Sequence, residues 1–146
     1  MPNVVNKVPS YLAEATKKQK YVFFQTLVCL SEIDGQVDEA ELDFIKEIAK
    51  NNELDDMQLL MDYANAQEVI DSVKMITDRH LAMELIYEMC KLAHVDNVLS
   101  DNEIVFIGKI GQAMGIEIEK IEQISNWIID CMTLTENAKI IFEEEK

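Results

Sequence analysis

The segment DGQVDEAELDFIKEIAKNNEL, residues 34–54, aligns without a gap on DNVLSDNEIVFIGKIGQAMGI, residues 96–116, after a shift of 62 residues. The matches fall on a turn aspartate (Asp34 and Asp96), on a residue suited to cap a helix, and on apolar positions spaced as one face of a helix. A shared structure would constrain these positions most. The alignment therefore indicates that one unit of turn and helix occurs twice in the chain.

The pattern around these two segments predicts an all-α fold. Apolar residues recur at helical spacing almost throughout, and no stretch alternates between apolar and polar residues as a strand would. With four glycines and two prolines in the whole chain, few positions favour a break in a helix. The predicted helices span residues 10–33, with a break around 18–20, and 39–51, 56–65, 67–76, 79–95, 101–114, 118–132 and 135–144.

The length suits one helical domain, residues 1–146, arranged as a bundle of seven or eight helices. Its body consists of two pseudo-repeats of helix, acidic turn, helix and helix, at about 21–65 and 83–132. An N-terminal helix and a C-terminal tail helix flank these repeats. Phe44 and Phe106 correspond in the alignment and are expected in the core, as is Trp127.

The first turn, Asp-Gly-x-hydrophobic-x-x-x-Glu, matches the second half of a calcium-binding EF-hand loop. Such a loop has glycine at position 6 and ligands at positions 1, 3, 5, 7, 9 and 12. With Gly35 at position 6, position 1 is Leu30, and the second copy has Leu92 there. Leucine has no ligand oxygen, and Leu30 continues an apolar stripe that we expect to point inward. The sequence therefore argues against an EF-hand in either copy.

The acidic residues of both turns also match a helix-capping pattern that needs no metal. Asp38 with Glu41, and Ser100 with Glu103, each fit a capping box. In this arrangement, the side chain at each end accepts a hydrogen bond from an otherwise unpaired backbone N–H group. Helix capping without a metal is therefore a complete alternative explanation of these residues.

The motifs S-E-I-D-G-Q-V-D-E-A-E-L and A-H-V-D-N-V-L-S-D-N-E-I resemble the signature of the tellurite-resistance TerB-like family, which includes the N-terminal domain of DjlA-type co-chaperones. That signature is helix-Asp-Gly-x-hydrophobic-(Ser/Asp)-x-x-Glu-helix, present twice in an all-helical domain. The second copy has Asn97 in place of the glycine, and the resemblance covers roughly residues 20–132. It implies a bacterial module of stress response, metal (tellurite) resistance or phage defence.

The resemblance also implies a divalent-metal site built from the paired acidic motifs. Carried over position by position, its ligands are Asp34 and Glu41 from the first copy and Asp96 and Glu103 from the second, with Asp38 as an addition. Carboxylate oxygens suit calcium, magnesium or manganese. The alternative function is a metal-free adaptor or scaffold, whose motifs only cap helices and whose acidic surface binds a protein partner.

The net charge limits the classes of partner. Thirteen Lys and Arg residues face 28 Asp and Glu residues, which gives a net charge of −15. Such a surface repels phosphate backbones and anionic lipid, so we expect no nucleic acid, no membrane insertion and a protein partner with a basic surface.

Residues 1–10 contain no long apolar run, and the three cysteines form no CxxC pair. Both features favour a cytoplasmic protein with free thiols. We expect a monomer or a homodimer.

The sequence contains no recognisable catalytic centre. It has no glycine-rich phosphate loop, no Gly-x-Ser-x-Gly elbow and no zinc-type Cys/His cluster. Cys90 and His94 lie four residues apart on a predicted helix, but the apolar neighbours of Cys90 favour a buried cysteine over a metal pair or a nucleophile with its base. His80 and Glu84 are expected to form a solvated helix pair. We therefore expect a non-enzymatic protein with no cofactor other than a divalent cation.

Overall fold

The computed structural model describes residues 10–33, 39–52, 54, 65–94 and 99–143. Within these ranges all regular structure is helical, which confirms the predicted all-α class. The α-helices, numbered α1 to α6 in chain order, are Lys17–Glu32, Glu39–Asn51, Ala66–Ser72, Arg79–Ala93, Asp101–Ala113 and Ile118–Glu143. Short 3₁₀ helices at Leu12–Glu14 and Val73–Met75 precede α1 and follow α3.

Most predicted helix boundaries agree with these bounds to within two residues. The N-terminal helix differs, because α1 begins after Thr16 and not at residue 10. Thr16 and Gln19 form a capping box there, in which Thr16 Oγ1 accepts from the Gln19 N–H at 3.1 Å and Gln19 Oε1 accepts from the Thr16 N–H at 3.0 Å. The predicted helix at 56–65 lies outside the described residues except for Asn65, which caps α3.

Helix α6 is continuous, whereas the sequence pattern predicted two helices at 118–132 and 135–144. Neither glycine nor proline interrupts it, and the Thr135 hydroxyl donates back to the Cys131 carbonyl at 3.0 Å across the predicted break. Neither α6 nor any other helix of the described ranges has the length and apolarity needed to cross a membrane. The last buried residue of α6 is Cys131, so the second half of this helix lies outside the core.

Trp127, near the middle of α6, is 37% exposed. The prediction that it lies in the core is therefore wrong. Its ring centroid lies 6.0 Å from that of Tyr87 on α4, so only part of the indole is covered.

The core is centred on α4, which packs against α1, α5 and α6. Leu85, Ile86 and Met89 of α4 are fully buried, and α1 contributes the fully buried Phe23 and Phe24. Burying a side chain of this size stabilises the fold by about 1.5–3 kcal/mol relative to leaving it in water. The meeting faces of α1 and α4 are therefore one large source of stability from apolar burial.

Side-chain contacts place the first half of α2 beside the end of α4. Lys91 Nζ lies 5.2 Å from the centroid of the Phe44 ring, and Ile48 and Asn52, further along α2, line a groove with residues of α4 from Glu84 to Lys91. Helix α5 begins a few residues after that end. We call this end of the bundle, where α2 and α5 begin, the turn end.

Helices α2 and α5 have equal lengths, and their bounds differ by the 62 residues of the sequence repeat. Phe106 is 3% exposed, as predicted, but Phe44 is only partly buried. Three buried positions correspond in the two helices: Glu41, Ile45 and Ala49 in α2, and Glu103, Ile107 and Gly111 in α5. Superposition of the complete segments 34–54 and 96–116 stays a prediction, because both include residues outside the described ranges.

Gly115 ends α5 in a Schellman motif. Its φ of 76° is accessible to glycine at little cost, and it allows the Ile116 N–H to donate to the Gly111 carbonyl at 2.8 Å. The Gly115 N–H donates to the Gln112 carbonyl at 3.1 Å. The motif turns the chain sharply from α5 into α6, which is how the two helices come to pack side by side.

Two other glycines of α5 give a matched test of that packing. A Cβ added at Gly108 would have no atom within 4 Å, so Gly108→Ala should raise the free energy of unfolding by about 0.5–1 kcal/mol. A Cβ added at Gly111 would overlap Ile121 Cδ1 of α6, so Gly111→Ala should gain less or lose stability. Urea unfolding of both variants measures the difference. Equal gains would show that α5 and α6 pack more loosely than described.

Candidate functional site

Glu41 and Glu103 occupy corresponding positions in the first turns of α2 and α5 at the turn end. They are only 7% and 6% exposed, although glutamate is almost never fully buried unless it is paired. Unpaired N–H groups and the helix dipole give the first turn of a helix a partial positive charge, which favours a carboxylate there. The fold therefore places one shielded carboxylate in each copy of the repeat.

Glu103 is also part of a complete capping box. Its Oε1 atom accepts from the Ser100 N–H at 3.0 Å, and Ser100 Oγ accepts from the Glu103 N–H at 3.1 Å. This confirms the capping box predicted for the second copy. A carboxylate has two oxygens and about four lone-pair sites, so capping leaves acceptor capacity for a second partner.

The remaining predicted ligands, Asp34, Asp38 and Asp96, lie outside the described residues. Across 10–33, 39–52, 54, 65–94 and 99–143, no three His, Cys, Asp or Glu side chains lie close enough together to hold a metal ion. The described part of each copy supplies one carboxylate, Glu41 or Glu103, that fits an oxygen-ligand site. A complete ligand set needs the turn aspartates as well.

The leucines that stand at the first EF-hand position are both core residues. Leu30 and Leu92 are each 1% exposed, at the ends of α1 and α4. This confirms that Leu30 points inward, and it shows the same for Leu92. The two turns therefore lack the first EF-hand ligand for the same structural reason, which is that the position completes the core face of the incoming helix.

Cys90 is 3% exposed and forms part of the core. Burial raises its pKa to about 12, so the sulfur is a protonated thiol near neutral pH, whereas nucleophiles and metal ligands are thiolates. The prediction of a buried structural cysteine is confirmed. His94 caps the same helix through its backbone N–H, which donates to the Cys90 carbonyl at 3.1 Å.

Glu84 is hydrogen-bonded to the N-terminal segment, so the prediction that His80 and Glu84 form a solvated pair is wrong. Glu84 is 8% exposed and accepts from the Ser10 hydroxyl at 3.0 Å and from the Tyr11 N–H at 2.5 Å. His80 instead stacks on Tyr11, with ring centroids 4.8 Å apart, and its Nδ1 lies 3.6 Å from Asp78 Oδ1. Residues 10 and 11 fold back over α4, which the spacing within one helix cannot predict.

A polar groove of about 400 Å³ opens beside Glu84, between residues 10–13, the end of α2 and α4. Glu88 lines this groove, and its Oε2 atom is buried with no hydrogen-bond partner among the described residues. Burial raises the pKa of Glu88, Lys91 opposes that rise, and Glu84 adds to it. The groove therefore holds a carboxyl group whose ionisation weakens the fold.

The pKa of Glu88 predicts a pH-dependent effect of Glu88→Gln. The pKa of Glu88 is higher in the folded protein than in the unfolded chain, so the protonated carboxyl contributes stability that is fully present below the unfolded-state pKa. That contribution is lost as the pH rises through the folded-state pKa. Glu88→Gln should therefore stabilise the protein more at pH 7 than at pH 4, as urea unfolding would measure. Glu47→Gln, at an exposed position of α2, is the charge-matched control. An equal gain at both pH values would mean that Glu88 is solvated.

The chain matches a known protein family over most of its length. A family profile described as Tellurite resistance protein TerB matches residues 24–126, from α1 to the first part of α6. The matched region includes both acidic turns. No significant match was found among curated proteins or among solved structures.

Proposed function

Since the chain belongs to the TerB family, we propose that it is a non-enzymatic module whose two acidic turns bind a divalent cation. The observation that supports the proposal most is the burial of Glu41 and Glu103 at corresponding positions of the turn end. Two shielded carboxylates in a chain of net charge −15 need a cation or hydrogen-bond donors to offset the cost of desolvation. At Glu103, the capping box supplies one such donor, the Ser100 N–H group.

The proposed ligands are Glu41 and Glu103 together with the turn aspartates Asp34 and Asp96, and Asp38 as an addition. All are carboxylates, and an all-oxygen set favours calcium, magnesium or manganese over softer metals. A bound cation would reduce the repulsion among acidic groups at the turn end. The family description names tellurite resistance, which supports a role in metal (tellurite) resistance. We further propose a bacterial setting in stress response or phage defence, as the sequence resemblance implies, and a cytoplasmic location.

Titration calorimetry of the metal-free protein with calcium, magnesium and manganese tests this proposal. Glutamine preserves the hydrogen-bonding pattern of a capping box but removes the charge. Glu41→Gln and Glu103→Gln should therefore each weaken cation binding about tenfold or more, or about 1.4 kcal/mol, without unfolding the protein. The exposed Glu47→Gln is the control. Equal affinity in all four proteins would place the cation elsewhere.

A second function, a metal-free adaptor for a basic protein partner, is supported by a different observation. The second half of α6 is exposed and carries large apolar side chains, among them Ile140, Ile141 and Phe142. Contiguous exposed apolar surface marks interaction sites in soluble proteins. The two candidate functions use different residues, because the exposed apolar side chains lie on α6 and the proposed cation ligands do not.

A further inference from the structure

The groove between residues 10–13, the end of α2 and α4 has the size and the lining of a small-molecule site. Its volume of about 400 Å³ lies within the range of about 300–1,000 Å³ that is typical of ligand pockets. Its lining includes the apolar or aromatic side chains of Leu12, Ile48 and Tyr87, together with several polar groups. Ligand sites combine an apolar lining with a few polar groups in the same way.

Two oppositely charged residues of α4, Glu88 and Lys91, line this groove. They are three residues apart, a spacing at which glutamate and lysine on a helix can pair. Neither forms an ion pair within the described part of the chain, and Glu88 Oε2 is buried with no hydrogen-bond partner there. Lys91 Nζ instead lies 5.2 Å and 5.1 Å from the centroids of the Phe44 and Tyr87 rings. Each charge therefore lines the groove without a partner of opposite sign.

Glu84, the other carboxylate of the groove, already has its partners. One of its oxygens accepts a hydrogen bond from the Ser10 hydroxyl, and the other accepts one from the Tyr11 N–H. Of the three charged side chains that line the groove, the two that are still open to a ligand are thus Glu88 and Lys91.

We propose that this groove binds an α-amino acid with an apolar side chain, whose ammonium group pairs with the Glu88 carboxylate and whose carboxylate pairs with Lys91 Nζ. The Cβ atoms of residues three apart on a helix are separated by about 5–6 Å. One small molecule that carries both charges can bridge such a separation. Because Glu88 Oε2 is buried, the ammonium group would meet the carboxylate at Oε1. The apolar side chain of the ligand would contact Leu12 and Ile48.

A zwitterion fits this groove better than a ligand with a single charge. A simple amine would leave Lys91 unpaired, whereas a simple carboxylate would leave Glu88 unpaired and would add a negative charge near Glu84. An amino acid pairs both open charges, and it offsets the cost of an ionised, partly buried Glu88. The groove contains none of the residues proposed to bind a divalent cation, so the inference is independent of that function.

NMR titration of the isotopically labelled protein with leucine and three analogues tests the proposal. Isoamylamine lacks the carboxylate of leucine, isocaproate lacks its ammonium group, and glycine lacks its apolar side chain. Every titration contains a chelator, so that divalent cations do not contribute. Leucine should shift the side-chain amide signals of Asn51 and Asn52, which line the groove. It should bind at least about tenfold more tightly than isoamylamine or isocaproate, because each of these loses one charge-assisted hydrogen bond.

Two variants test the two charged contacts separately. Glu88→Gln should abolish the advantage of leucine over isocaproate, and Lys91→Met should abolish its advantage over isoamylamine. Glu88→Gln is expected to stabilise the protein at pH 7, so loss of binding in this variant cannot result from unfolding. The melting temperature of Lys91→Met provides the same check. Glu47→Gln and Lys46→Met, at exposed positions of α2, are charge-matched controls and should bind leucine as the wild type does.

Four results would overturn the proposal. Equal affinities for leucine and isoamylamine would show that the groove binds a cation alone, and equal affinities for leucine and glycine would show that the apolar lining makes no contact. Leucine binding that is unchanged by Glu88→Gln and Lys91→Met would place the ligand elsewhere on the protein. Absence of any shift up to the solubility limit of leucine would show that the groove is not an amino-acid site.

Discussion

Phe106→Ala should lower the free energy of unfolding by about 3–5 kcal/mol. Phe106 is 3% exposed on the core face of α5, so alanine loses the transfer free energy of the ring and leaves a cavity that the neighbouring helices fill only in part. Domains of this size are stable by about 5–15 kcal/mol in total, so the loss is a large share of the whole. Urea unfolding, analysed with the same m-value for the wild type and the variant, measures this loss in the free energy of unfolding.

Two other phenylalanines serve as matched controls. Phe44, the counterpart of Phe106 in the repeat, is partly buried beneath Lys91, so Phe44→Ala should cost clearly less. Phe142 is 84% exposed, so Phe142→Ala should change stability by less than about 0.5 kcal/mol. A loss below about 1 kcal/mol for Phe106→Ala would contradict its burial, and equal losses for Phe44 and Phe106 would contradict the described difference between α2 and α5.

A divalent cation at about 100 times its dissociation constant should add about 2.7 kcal/mol to the free energy of unfolding. The stabilisation follows from the proposed function, because the unfolded chain does not hold Glu41, Glu103 and the turn aspartates together. For a domain of this size the melting temperature should rise by several degrees. Glu41→Gln and Glu103→Gln should each reduce the rise.

Ser100→Ala separates helix capping from cation binding. Loss of the Ser100 side chain removes one hydrogen bond of the capping box, at a cost of about 1 kcal/mol. The cost should be the same with and without the cation, because the Ser100 hydroxyl is not among the proposed ligands. If Ser100→Ala and Glu103→Gln respond alike to the cation, Glu103 acts only as a cap.

Features of the fold that depend on local pattern could be predicted from the sequence. The bounds of α2, the burial of Leu30 and Phe106, and the capping box at Ser100 all follow from periodicity or from residues three or four apart. The capping box at Thr16 and Gln19 has the same kind of signal, T-x-x-Q, and it would have corrected the predicted start of α1.

Features that depend on contacts between distant residues could not be predicted. The bonds from Ser10 and Tyr11 to Glu84 join residues more than 70 positions apart, so a local pattern suggested a solvated pair with His80 instead. The exposure of Trp127 depends on where the core ends along α6. The predicted break in α6 falls at 132–135, in the stretch M-T-L-T-E-N at 132–137, where polar residues outnumber apolar ones.

The candidate site was predictable only as a pattern. The repeat identified Glu41 and Glu103 as equivalent, and the fold gives both residues the same burial in the same turn of α2 and α5. The sequence cannot distinguish a ligand from a cap, because both roles favour a carboxylate in the first helical turn. Only a response to cations separates the two roles.

The most direct measurement of the proposed function is the melting temperature in calcium, magnesium or manganese chloride against sodium chloride at matched ionic strength. Sodium is essential, because at a net charge of −15 any salt relieves some repulsion. At least one divalent cation should raise the melting temperature several degrees more than sodium does, and Glu41→Gln and Glu103→Gln should lose most of that difference. If no divalent cation exceeds sodium, the acidic turns cap helices and bind no metal.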